Sequence, residues 1–308
     1  MTRVAAIDCG TNSIRLLVAD IDGDQLVDVV RRMEIVRLGE GVDRTGRLSD
    51  AGLSRTFAAL DGYAAQIRSH DVERVRMVAT SATRDAENRD TFVDGVVKRL
   101  GVPPEVVTGD EEAALSFDGA TRELGDGRSV FEAPYLVCDI GGGSTEFVLG
   151  DSAGMSSARS VDVGCVRLTE RHLHDDPPLP QQVDAARDDV CRALDIVRQT
   201  VDVTAARTLV GLAGSVTTVV ALALGLDSYR PERIHHARIG ADDVRRVASG
   251  LLAMSRDERA ALQVMHPGRV DVIGAGALVL DTVVTEFGFD GVVASEHDIL
   301  DGIAFSAA

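Results

Sequence analysis

Lysine is almost absent from this chain: of 32 basic residues only Lys98 is one. Any phosphate it binds must therefore be held mainly by arginine, whose planar fork grips two oxygens at once. Positive charge as a whole is scarce, the formal net charge being −17. That excludes a general nucleic-acid binder, which presents a basic field. A polyanionic substrate would need a local arginine cluster, a divalent cation, or both. Long apolar runs are missing too. The longest candidate, Val216 to Leu226, is too short for a bilayer and contains Thr217 and Thr218, so no membrane partner is expected. A strand begins within the first few residues and leaves no room for a signal peptide. Cys9, Cys138, Cys165 and Cys191 show neither CxxC nor disulfide spacing, which suits a reduced cytoplasm and four small buried hydrophobes.

What the sequence does have is a repeat. VAAIDCGTNSIRLLVAD from Val4 and YLVCDIGGGSTEFVLGD from Tyr135 share one order: apolar run, aspartate, Gly/Ser/Thr-rich loop, apolar run. That order describes a strand, a tight turn and a returning strand, with Asp8 and Asp139 at equivalent hairpin mouths. Gly10, Gly141, Gly142 and Gly143 permit close backbone approach, and successive N–H groups in such a turn form a nest for an anion. Thr11, Asn12, Ser13, Ser144 and Thr145 complete the two candidate phosphate-binding loops. With 308 residues and 45% apolar content, duplicated domains are the natural reading.

The first half reads β-β-β-α-β-α-β-α, with a third strand near Asp28 to Leu38 and a helix after Ser49, a good N-cap. A buried strand at Val75 to Ala79 ends in Thr80-Ser81-Ala82-Thr83-Arg84. After a helix around Asp90 to Leu100, the strand Glu105 to Thr108 delivers Glu111-Glu112 to the next helix. Glu123 to Ala133, with Gly125, Gly127 and Pro134, reads as the linker. The second half repeats the opening with a hairpin at 135–150 and a strand near 157–163. Helices follow from Val166 and at 181–200, then a strand at Thr208 to Leu212 running into Gly214-Ser215. Helices at 241–254 and 269–287 and a strand at 291–294 complete it. Domains of 1–124 and 125–308, each a mixed sheet flanked by helices, are expected.

Asp8 and Asp139 can bind a divalent metal, directly or through its water, and Glu146 offers a third carboxylate beside the same turn. Glu111-Glu112 stands at a helix start, where a carboxylate can either take a proton from water or complement the helix dipole. Arg84, after a buried strand, can grip phosphate oxygens or sit solvated in its loop. Arg15, Arg44, Arg47 and Arg167 are weaker phosphate candidates. Gly211 to Thr218 has the form of an anion-binding helix start. His172 and His174 beside Asp175-Asp176 make a metal pair on paper, and His235, His236 and His297 have no assigned role.

The loops resemble the phosphate-binding loops of the actin, hexokinase and sugar-kinase superfamily. The segments DCGTNSIRLLV (8–18), RLGEGVDRTGRLS (37–49), ATSATRDAENRDTF (79–92), GDEEA (109–113), DIGGGSTEFV (139–148), GLAGSVTT (211–218) and SEHDILDGI (295–303) are similar, in order, to the exopolyphosphatase and guanosine pentaphosphate phosphohydrolase family. The chain looks like a short member, ending after two core domains. Glu296 stands where many relatives have aspartate. The resemblance implies two ribonuclease-H-like, actin-like ATPase domains with the active site in the cleft between them, and it implies as partners inorganic polyphosphate or guanosine pentaphosphate, and a second copy in a homodimer. It implies Glu112 as general base and Arg84 as phosphate-gripping residue. Asp8, Asp139 and Glu146 would hold Mg2+ or another divalent cation, the last two counting as catalytic as well. The expected reaction is hydrolytic release of terminal orthophosphate from polyphosphate. Guanosine pentaphosphate hydrolysis, an ATP-dependent kinase, and an idle polyphosphate-binding or actin-like scaffold are the rivals.

Overall fold

The computed structural model describes residues 1–124 and 131–308, so the centre of the expected linker, 125–130, lies outside the described residues. The chain divides into two compact units: Met1–Arg122 with Asp298–Ala308, and Glu123–His297.

In the first unit, β1 (Thr2–Cys9), β2 (Ser13–Asp22), β3 (Gln25–Ile35), β4 (Arg74–Ala79) and β5 (Glu105–Val106) form one sheet in the order β3-β2-β1-β4-β5. The β1–β2–β3 pairings are antiparallel; β4 and β5 add in parallel. In the second unit come β6 (Tyr135–Ile140), β7 (Thr145–Asp151), β8 (Gly154–Val161), β9 (Thr208–Leu212), β10 (Arg238–Gly240) and β11 (Gly291–Ala294). Their order is β8-β7-β6-β9-β11, the same pattern, with β10 added antiparallel beside β11. Each unit is thus a ribonuclease-H-like sheet, and the repeat read in the sequence is a repeat of topology.

β1 lies in the middle of its sheet and is apolar on both faces, as a strand covered from both sides must be. Ala5, Ile7 and Cys9 join Ile14, Leu16 and Leu60 in one layer; Val4 and Ala6 join Leu17, Ala19 and Val78 in the other. The first layer is closed by the helix Asp50–Ser69. Ser49 caps it by accepting the Gly52 N–H, and Leu53, Leu60, Tyr63 and Ala64 face inward.

The second layer is closed by Ile299–Ala307, through Ile299, Leu300, Ile303 and Ala304. Placing 298–308 in the second domain is therefore corrected. These residues return to the first sheet because half of it would otherwise expose an apolar face. They pack on the helix Gly109–Thr121 at backbone distance: a Cβ on Gly302 would meet the Leu115 carbonyl oxygen at 2.0 Å, and one on Gly119 the Asp298 carbonyl oxygen at 1.9 Å.

Several edges shift. β3 stops at Ile35 because Val36 and Arg37 donate their N–H groups to the Asn12 carbonyl, and Gly39 to that of Thr11, drawing this segment onto the first hairpin loop. The expected helix at 269–287 begins at Ile273, preceded by a 3-10 turn at Pro267–Arg269. Cys9, Cys138 and Cys165 are buried and free, whereas Cys191 is only half-buried. Among the described residues no helix is long and apolar enough to cross a membrane.

Candidate functional site

The two hairpin mouths are built alike. Gly10 N–H donates to the Ser13 carbonyl at 2.9 Å, and Gly141 N–H to the Ser144 carbonyl at 3.0 Å. Register then sets Arg15 opposite Asp8 but Glu146 opposite Asp139. The same structural slot holds opposite charges in the two units.

In the first unit Asp8 is buried, and its Oδ2 accepts from Arg15 Nε at 2.9 Å and Nη2 at 2.7 Å. Arg15 Nη1 reaches Asp298 Oδ2 as well. Oδ1 of Asp8 is buried without a hydrogen-bond partner. Burial holds the Asp8 carboxyl above the usual carboxylate range against the pull of Arg15. For Asp298 burial is outweighed by Arg15, the Leu300 N–H and Arg31, and its carboxyl lies below that range. Thr11 Oγ1 and Ser81 Oγ are hydrogen-bonded at 2.9 Å, joining the hairpin loop to the Thr80–Arg84 segment.

The two neighbouring glutamates separate cleanly. Glu111 closes a capping box with Thr108: its Oε2 accepts the Thr108 N–H at 2.8 Å and the Thr108 Oγ1 hydrogen at 3.0 Å, and its own N–H returns to Thr108 Oγ1. Glu112 is buried on the inner side of the helix, and its Oε2 accepts from Arg84 Nη1 at 3.2 Å. The same Nη1 donates to the Val107 carbonyl at 2.9 Å, fixing the guanidinium over the strand end.

In the second unit Asp139 and Glu146 are both buried and directly opposed across β6 and β7. Like charges so placed repel, and a divalent cation is the natural partner for such a pair. Ser160 on β8 donates to Glu146 Oε1 at 2.7 Å and orients it. The loop carbonyls of Gly141 and Gly142 accept N–H groups from the helix Cys165–His172, and that of Gly143 accepts Arg167 Nε at 2.7 Å. Each peptide being trans, the N–H groups of Gly143 and Ser144 point the opposite way. Thr145 is corrected as a phosphate donor: its hydroxyl donates to the Val163 carbonyl at 2.5 Å. Arg167 is likewise engaged with Gly143, whereas Arg47 forms an exposed pair with Glu87.

Gly211–Thr218 runs from β9 into the helix Ala213–Ala223, with Ala213 in the left-handed region at φ 67°. Gly214 leaves room for Arg269: a Cβ there would stand 2.3 Å from the guanidinium. The Tyr229 hydroxyl bonds both Thr217 Oγ1 and Glu296 Oε1 at 2.7 Å.

His172 pairs with Asp189 at 3.0 Å rather than with His174. His235, His297 and Glu123 gather their ligand-type atoms within 4.8 Å. However, His235 Nδ1 accepts the Glu296 N–H at 3.1 Å, so the neutral ring carries its proton on Nε2 and donates it to Glu123 at 2.9 Å. A metal-bound histidine has the reverse arrangement, donating from its outer nitrogen. His235 and Glu123 form a hydrogen-bonded pair, with His297 Nδ1 3.6 Å from the Glu123 carboxylate.

Three residues of these sites escaped sequence reasoning: Asp298, Ser160, and Arg15 as a partner of Asp8. Counting strand positions outward from each glycine turn would have set Arg15 against Asp8. Nothing local marks the other two.

The model of the Ppx/GppA phosphatase family matches residues 17–308. Exopolyphosphatase 2 of Mycobacterium tuberculosis is 51% identical over 321 aligned positions, covering 100% of this chain and 99% of that protein. The crystal structure of an exopolyphosphatase-like protein superposes with a TM-score of 0.95 at 44% identity, covering 99% of this chain and 98% of the other. That of a family member from Aquifex aeolicus gives 0.82 at 30% identity, with 99% and 97% coverage. The chain belongs to the Ppx/GppA phosphatase family.

Proposed function

We propose that this protein is an exopolyphosphatase, releasing orthophosphate from the ends of inorganic polyphosphate with a divalent cation, Mg2+ by preference. The observation that carries the reaction class is the pair of buried carboxylates, Asp139 and Glu146, opposed across one hairpin. The polyphosphate substrate is taken from the relative named Exopolyphosphatase 2, which matches this chain end to end.

The donor set fits a hard cation. Asp139 and Glu146 would hold it; in the first unit the buried Oδ1 of Asp8, without a protein donor, is a carboxylate oxygen suited to a cation or its water. Bound there, the cation would neutralise charge on the transferring phosphoryl group. Each glycine-rich loop would by itself offer amides to a phosphate, Gly143 and Ser144 in one and the Gly10–Ser13 amides in the other. Ser144 and Thr11 would add hydroxyls. Arg84 would turn from Glu112 to the phosphate oxygens, and Glu112, released from its ion pair, would become a stronger base for the attacking water. Placement and charge stabilisation suffice for such a transfer, and no covalent nucleophile is required. The family resemblance also carries a cytoplasmic homodimer as part of this reading; light scattering and cell fractionation test both.

The decisive assay supplies purified protein with Mg2+ and, separately, short polyphosphate, long polyphosphate, guanosine pentaphosphate and ATP. Fastest orthophosphate release from polyphosphate is expected. Preference for guanosine pentaphosphate would replace the substrate, and release from none of them would overturn the enzyme.

A further inference from the structure

We propose that Arg15 and Asp298 are positioning residues for Asp8, a buried lock that leaves this carboxylate one oxygen, Oδ1, with which to hold a divalent cation or its water. The inference rests on the hydrolase reading above and assigns work to two residues outside the glycine-rich loops.

The geometry is asymmetric. Two nitrogens of Arg15, Nε and Nη2, both bond the same oxygen of Asp8, so Oδ2 is closed while Oδ1 stays buried and unbonded by the protein. The third donor, Nη1, is anchored on Asp298. Asp298 is in turn immobile: its Oδ1 accepts the Leu300 N–H at 3.0 Å, and its own N–H donates to Asp301 Oδ2 at 3.0 Å. Asp301 pairs with Arg31 Nη2 at 2.5 Å. The absence of a side chain on Gly119 seats the Asp298 backbone against the neighbouring helix. Only a guanidinium spans two carboxylates in this way; an ammonium is a point charge and cannot keep the fork.

Stability alone does not account for the arrangement. Side-chain exposures of 6% for Asp8 and 5% for Asp298 set two buried carboxylates against one guanidinium, an excess of one negative charge. Buried charge that is under-neutralised destabilises a fold unless a further cation completes it. A lock made only for strength would use one carboxylate. The second makes sense as a ligand in waiting. The equivalent slot in the other hairpin needs no such device, because Glu146 faces Asp139 there and Ser160 orients it.

The test reads cation binding as well as turnover. Mn2+ replaces Mg2+, and its free electron paramagnetic resonance signal is followed in the presence of a methylene-bridged triphosphate, which is not hydrolysed. Arg15→Met and Asp298→Asn should each raise the Mn2+ dissociation constant about 10–100-fold, the range for groups that orient metal ligands. Arg15→Lys should rescue only in part. In an Asp8→Asn background, Arg15→Met should cost less than about twofold more, since residues acting as one unit are not additive. Circular dichroism melts confirm folding, and Arg15→Lys stands in if Arg15→Met does not fold. Unchanged Mn2+ affinity in a folded Arg15 variant overturns the lock, as does a full second loss in the Asp8→Asn background. A wild-type protein that binds Mn2+ without hydrolysing polyphosphate overturns the proposed activity and leaves the lock standing; one that binds no Mn2+ overturns both.

Discussion

Replacing Glu112 by glutamine keeps the shape of a buried side chain and removes its charge and basicity. Glu112 sits one residue after the capping Glu111, on the inward side of the helix, with Arg84 Nη1 at 3.2 Å from its Oε2. A positioned general base contributes about 10²–10⁴ in rate, or about 3–5 kcal/mol of barrier. Turnover of polyphosphate should fall by that factor. Substrate binding should hold or tighten, because Arg84 loses its carboxylate competitor and one negative charge leaves the neighbourhood of the phosphate. The cost to stability should be small, since Arg84 keeps its bond to the Val107 carbonyl and its side chain is 25% exposed. Steady-state orthophosphate release against polyphosphate concentration reads kcat and KM together, and a thermal melt excludes unfolding. A kcat within tenfold of wild type would remove Glu112 as base and with it the meaning given to its ion pair.

Ser160→Ala should leave the fold intact and raise the Mg2+ concentration for half-maximal activity about tenfold or more, because Glu146 loses the donor that orients it; a Mg2+ titration checks this. Gly302→Ala drives a Cβ into the Leu115 carbonyl, a rigid partner 2.0 Å away, and should cost about 1–3 kcal/mol, seen as a melting temperature several degrees lower. His266 is held below its ordinary 6.5, by burial first and then by Arg269, and its Nδ1 accepts the Gly268 N–H. The unfolded chain therefore binds the proton more readily, so stability present above about pH 6.5 is lost as pH falls through the folded value. Denaturant melts across pH 5–7 should show this slope, and His266→Gln should flatten it.

The hairpins were legible because their signal is local: a glycine turn, its hydroxyls and the preceding aspartate lie within a few residues. The order of elements along the chain was legible for a related reason, since each half opens with the same hairpin and third strand before its helices. Glu111 was more readable than it looked. Thr108, three residues before it, writes a capping box, which gives Glu111 a backbone duty that Glu112 does not share. What escaped reading depends on distant pairs. Arg15 and Asp298 are 283 positions apart, and the segment after Asp298 reads simply as apolar. Its place on the first sheet follows from the bare face of Val4, Ala6, Leu17 and Ala19, a need visible only once the strands are assembled. Ser160 is one more serine in a strand until register sets it against Glu146.

The duplication accounts for the shape of each unit, and the divergence at one cross-strand position gives the two hairpin mouths opposite partners for their aspartates. Had both hairpins kept an acid opposite the aspartate, each would draw its own cation. Had both kept arginine, two neutralised aspartates would offer nothing to a metal in a chain already carrying −17. With Arg15 in one slot and Glu146 in the other, the second hairpin presents two opposed carboxylates, while the first leaves one buried oxygen of Asp8 without a protein donor. On the proposed reading, attraction for the polyanion would fall to amides, Arg84 and a bound cation, which would let so acidic a chain take a substrate of the same sign.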